Sequence, residues 1–95
     1  MPGKRRKASH VYDTLIELGF GPERKVPTMR ALEQMTGIQG QTIWGWLAGD
    51  RWPRLDHAMA LATVLGVSLG ALATALGNAQ TRAAKAAEVR ELLRA

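Results

Sequence analysis

At the centre of the sequence only two residues separate one helical pattern from the next. The pattern of "TMRALEQMT", Thr28 to Thr36, stops at Gly37, and that of "QGQTIWGWLA", Gln39 to Ala48, starts straight after Ile38. Glycine just past the last periodic residue marks a helix ended by a left-handed residue. So short a link makes the two helices packed neighbours. Thr28 is a good N-cap for the first, over about 29–36, with Leu32 and Met35 pointing inward. Gly49 closes the second, over about 39–48.

Similar punctuation divides the rest of the chain. Ser9 is the expected N-cap of a helix over about 10–19, with Val11, Leu15 and Leu18 on one face. Gly19 and Gly21-Pro22 stop it, and the loop "FGPERKVP" runs to Pro27. "DRWPR" is a turn fixed by Pro53, followed by a helix over about 55–65 with Leu55, Met59, Ala62 and Leu65 at helical spacing. Gly66 to Ser68 ends that helix and caps another over about 69–76, carrying Leu69, Leu72 and Leu76. After Gly77-Asn78, "AQTRAAKAAEVRELLRA" has high helix propensity and a thin stripe of Ala86, Val89 and Leu93, with Leu92 beside it. The expected fold is all-α: a compact bundle of five short helices, a sixth C-terminal helix and a basic N-terminal arm. The expected division is an arm over 1–8, a domain over 9–77 and a C-terminal helix or tail over 78–95.

Composition narrows the class. The chain has 95 residues, enough for one domain, and its 46% hydrophobic content, mainly Ala and Leu, suits a helical core. The absence of cysteine excludes disulfides, thiolate metal sites and a cysteine nucleophile. No apolar run approaches the roughly 18 residues needed to cross a bilayer, and no apolar segment follows the basic opening as in a secretory signal. The expected setting is cytoplasmic: nucleoid-associated, or the host cytoplasm for a phage-encoded protein. The net charge of +5 is uneven. Residues 1–30 hold seven Lys/Arg against three acids, residues 31–60 two against three, and residues 61–95 four against two. Lys4, Arg5, Arg6 and Lys7 form a basic arm that suits a polyanion, or simply a solubilising terminus.

The segment 39–48 has two unlike sides. At roughly 100° per residue, Ile43, Trp46 and Leu47 share one face while Gln41, Gly45 and Ala48 share the other, with Thr42 and Trp44 on the flanks. A solvated helix would carry Glu and Lys on its outer face. This one carries a single amide and residues with almost no side chain. Such a face lets something large approach the backbone, either a protein helix or the major groove of B-DNA, about 12 Å wide. Glutamine in the first turn suits a bidentate contact to adenine, and a threonine methyl suits contact with a thymine methyl.

From Thr28 to about Leu76 the chain resembles the phage repressor and Cro family of helix-turn-helix proteins, often called Xre-like. The resemblance rests on "TMRALEQMTGI" with its capping threonine, Leu32, Gly37 and Ile38; on "QGQTIWGWLAG" with inward Ile43 and Trp46; and on "RWPRLDHAMALATVLGVSLGAL" with its leading proline and "LGVS" junction. It implies that the helix over 39–48 enters the major groove while its predecessor crosses the backbone. Gln39, Gly40, Gln41, Thr42, Trp44 and Gly45 fall where such proteins contact bases or phosphates. Two positions depart from the family pattern. Glu33 stands where a small alanine is usual, so it changes the inter-helix angle or swings outward, and Met29 stands where a phosphate-binding glutamine is common. The loop between the first two helices also exceeds the family's usual short link.

The resemblance implies that the chain is a sequence-specific, double-stranded DNA-binding transcription regulator of the repressor or Cro type. Base readout is expected from Gln41 and Thr42, with Gln39, Gly40, Trp44 and Gly45 beside them. Thr28, Arg30, Arg51, Arg54 and the arm residues Lys4, Arg5, Arg6 and Lys7 are the expected DNA-backbone contacts. Trp46 is core, Trp44 partly buried, and Trp52 expected to cover Pro53. His57, beside Asp56, is given a surface or capping role. A homodimer through 69–76, the C-terminal helix or both would place two recognition helices on a two-fold operator; a monomer, or a module of a longer protein, stays open. Neither metal-ligand spacing around His10 and His57 nor a nucleophile-base grouping is evident, so no cofactor, metal, small-molecule ligand or enzymatic activity is expected. The rival readings are a helical protein-interaction module of antitoxin type and a non-specific nucleic-acid binder using the arm.

Overall fold

The computed structural model describes residues 2–21 and 24–94, with side chains from residue 10 onward. Among these residues the helices are α1 (Pro2–Glu17), α2 (Met29–Thr36), α3 (Gly40–Ala48), α4 (Leu55–Leu65) and α5 (Leu69–Arg94). The central helix is α3, which packs against α1, α2 and α5, while α4 joins α2 to α5. The core between them is built of Leu32, Ile43, Leu47, Leu61, Leu65, Leu72 and Leu76, all fully buried, with Val11, Leu15 and Leu18 from α1 and its following turn.

Local chemistry explains most boundaries. Thr28 accepts a hydrogen bond from the Ala31 amide at 3.0 Å and so caps α2. Gly37, at φ 75°, ends α2 in the left-handed region, and Gly49 ends α3 at φ 86°. Ser68 caps α5 through the Ala71 amide at 3.0 Å. Arg24 donates to the Leu65 carbonyl at 2.9 Å, satisfying an acceptor at the end of α4, while its guanidinium lies over the Phe20 ring at 4.3 Å.

Several expectations are corrected. Helix α1 begins at Pro2, so Ser9 lies inside the helix instead of capping it, and the backbone of 2–8 is helical. The side chains of Lys4, Arg5, Arg6 and Lys7 lie outside the described residues. No break falls at Gly77-Asn78: the expected fifth and sixth helices form one helix of 26 residues. A glycine inside a helix costs only about 1 kcal/mol, and fully buried Leu76 and Ala79 on either side hold that stretch against the core. At about 1.5 Å per residue α5 spans roughly 39 Å, close to the molecule's longest dimension of 43 Å.

The inward positions also need revision. Met35, Leu55 and Met59 are exposed, since α2 and α4 each turn only a narrow stripe inward, Leu32 on one and Leu61, Ala62 and Leu65 on the other. Ala48, expected on the open face of α3, is buried, because three helices press on α3 and its core arc exceeds a single stripe.

Thr14 is a fully buried polar residue that periodicity did not single out. Its hydroxyl lies 2.7 Å from the Leu47 carbonyl and 2.9 Å from that of His10, able to donate to one at a time. Arg82 donates to the same hydroxyl oxygen at 2.9 Å and pairs with Glu17 at 2.5 Å, and Asn78 also donates to Glu17. The last turn of α3 is thereby tied to α1 and α5 through one polar cluster. The signal was present in the sequence: Thr14 sits on the same arc as Val11, Leu15 and Leu18.

Candidate nucleic-acid interface

The surface built by α2, the Gly37 turn and α3 is open. Ile43, Trp46 and Leu47 anchor α3 in the core, with the Trp46 ring 5.8 Å from that of half-buried His57. On the opposite side Gln39 and Gln41 are exposed and Thr42 half-buried. Trp44 is half-buried as expected: it packs on the core margin and also lines the open surface.

Two concavities flank α3. One, of about 460 Å³, lies along α2 and is lined by Met29, Arg30, Glu33, Gly40, Gln41 and Trp44. The other, of about 270 Å³, lies along the segment after α3 and brings Gln39, Gln41, Thr42, Trp44 and Gly45 together with Asp50 and Arg51. Expected base-contact and backbone-contact residues therefore meet in shared hollows on both sides of the helix.

The two glycines of α3 have separate surroundings. A Cβ on Gly40 would lie 3.2 Å from a Glu33 carboxylate oxygen and 3.5 Å from the Met29 Cβ, so its bare side faces α2. A Cβ on Gly45 would meet the Arg51 side chain, whose Cδ stands 3.5 Å away. Gly45 is accordingly buried, though no other helix covers it at that point.

Glu33 swings outward. Its carboxylate accepts the Gly40 amide at 2.6 Å, and Gln39 makes no side-chain cap, so a residue of α2 caps α3. A negative charge at a helix N-terminus is stabilising, which accounts for glutamate at a position where the resemblance implied a small residue. Sequence spacing could not have found this bond, which joins residues seven apart across the turn.

The expected backbone contacts are dispersed. Thr28 is exposed, its hydroxyl oxygen accepting the α2 cap bond while its O–H stays able to donate, and Arg30 is exposed beside it. Arg51 is exposed after α3. Arg54 is exposed and lies 3.4 Å from Asp56, a surface pair worth little in water. Trp52, expected to cover Pro53, is 53% exposed, while Pro53 is buried without it.

A family model described as helix-turn-helix matches residues 28–72, from the α2 cap to the second turn of α5. That segment is a helix-turn-helix domain of the Xre/Cro-like family. Searches of curated proteins and of solved structures returned no match. In a helix-turn-helix domain the second helix of the motif lies in the major groove, and here that helix is α3. The domain makes this a DNA-binding protein whose partner is double-stranded DNA. Among the described residues no single helix is long and apolar enough to cross a membrane.

Proposed function

We propose that the protein is a sequence-specific transcription regulator of the phage repressor or Cro type, acting in the cytoplasm with α3 inserted in the major groove of its operator. The observation that carries this reading is the contrast across α3. Fully buried Ile43 and Leu47 fix the helix on one side, while Gln41 stands exposed on the other with Thr42 and Trp44 beside it. Base readout needs such rigidity, since bidentate contacts depend on geometry. Gln41 and Thr42 read bases, Gln39 and Gly40 approach the groove from the N-terminal end, and Thr28, Arg30 and Arg54 engage phosphates.

A homodimer places two such helices about one turn of DNA apart. The far part of α5 supports this, since Val89, Leu92 and Leu93 are exposed apolar residues on one projecting helix. Their burial against a second copy would stabilise pairing.

Selection of bound sequences from a random duplex pool tests the proposal. The expected result is a defined motif of two-fold symmetry with affinity falling steeply as salt rises. Gln41→Ala is expected to cost about 1–3 kcal/mol of binding and to relax preference at one base pair. Weakening by the same factor on every sequence would instead make Gln41 a backbone contact.

A further inference from the structure

Position 45 is one helical turn beyond Gln41, at the middle of the outward face of α3, and it has no side chain. The chain itself fills the gap. After Gly49 the backbone folds back so that the amides of Asp50 and Arg51 both donate to the Gly45 carbonyl, at 2.9 and 3.2 Å. These bonds fix the root of Arg51 beside α3. From there its side chain runs along Gly45, its Cβ, Cγ and Cδ standing 4.0, 3.7 and 3.5 Å from where a Cβ at 45 would be. The approach tightens toward the Cδ, so the stem lies on the glycine and the head stays exposed. Among the described residues no hydrogen bond or ion pair occupies the guanidinium. Arg51 also lines the hollow that contains Gln41 and Thr42.

We infer that Arg51 acts as the missing side chain of position 45 and reads a guanine in the major groove next to the base pair read by Gln41. This deepens the proposed sequence-specific readout and rests on it. A guanidinium offers two parallel donors matched to the O6 and N7 acceptors of guanine. A phosphate contact would need neither the bare glycine nor the fixed root, because a flexible cation suffices for a point charge. The packed stem supplies what a surface arginine lacks, a restricted set of head positions.

The test is duplex selection with the wild-type protein, Arg51→Ala and Arg51→Lys, with affinities at two salt concentrations. The wild-type motif is expected to contain a G·C pair whose preference disappears in Arg51→Ala while the other columns persist. Binding to the wild-type site falls about 5- to 150-fold, the equivalent of a bidentate base contact worth about 1–3 kcal/mol. Arg51→Lys keeps the charge but not the fixed fork, so it weakens the preference at the same column and retains the wild-type salt dependence. The inference is overturned if Arg51→Ala weakens every sequence alike, lowers the salt slope by about one and is rescued by lysine. A wild-type protein that enriches no motif defeats the sequence-specific reading as well. A wild-type motif left intact in Arg51→Ala defeats the Arg51 role alone. The thermal melt of Arg51→Lys is expected to match wild type, because lysine keeps an aliphatic stem on Gly45, and Arg51→Ala to lose only the packing of that stem.

Discussion

The two helices of the motif are held in different ways. Of the nine residues of α3, five are buried, whereas α2 buries only Leu32 among its eight. The core fixes α3, and its last turn is further tied through Thr14 to α1 and α5. Caps hold α2: Thr28 at its start, Gly37 at its end, and the reach of Glu33 across to Gly40. The helix assigned to the groove thus owes its orientation to long-range packing. Its partner is positioned mainly by local bonds.

The difference between α2 and α3 is greatest at their C-terminal ends. Gly37 and Gly49 share a left-handed backbone, but a Cβ on Gly37 meets open space while one on Gly49 would overlap the Ala79 carbonyl and stand 2.8 Å from the Gln80 nitrogen. Gly37→Ala is therefore expected to cost only conformational strain, about 1–2 kcal/mol. Gly49→Ala adds a backbone collision with α5 and is expected to cost about 2–6 kcal/mol. Urea denaturation of both variants measures the gap. Equal losses would mean that α3 is not pressed against α5 at that point.

Thr14→Val tests the tie itself. The substitution keeps the shape but removes the hydroxyl, leaving the Leu47 carbonyl and the Arg82 guanidinium short of a partner in the interior. The expected loss is about 1–3 kcal/mol, read from the same denaturation midpoint. A change within a few tenths of a kcal/mol would show that packing alone holds the last turn of α3.

The same contrast explains what the sequence revealed. The stops at Gly37, Gly49 and Gly66 were legible because a left-handed residue at a helix end calls for glycine, and α4 falls on its expected span, Leu55–Leu65. Gly77 carries the same letter without the same job: it lies within α5, a Cβ there would meet nothing, and only the tertiary burial of Leu76 and Ala79 reveals its role. Helical spacing placed Ile43 and Trp46 correctly but sent Ala48 outward, because a single-stripe wheel does not represent a helix pressed by three others. The open face was legible as bare but not as filled. Arg51 reaches Gly45 only after the chain has left the helix and turned back, where periodicity carries no information.

The smallest expected effect on stability is at the seam between the two helices, and there stability and binding should move in opposite directions. Glu33→Gln removes the negative charge from the N-terminus of α3 while keeping an oxygen able to accept the Gly40 amide. The loss of stability should therefore not exceed the roughly 0.3–1 kcal/mol of a charge at a helix end. The same carboxylate lies in the hollow lined by Arg30 and Gln41, where it would repel the phosphates of bound DNA and where it neutralises the helix terminus that would attract them. Binding by Glu33→Gln is expected to strengthen, and to do so on all sequences alike, because the term is electrostatic and carries no base information. Titrations of matched and random duplexes at two salt concentrations, set beside a thermal melt, separate the two effects. If specific binding weakens along with stability, α2 sets the pose of α3 through this bond, and the core alone does not fix the recognition helix.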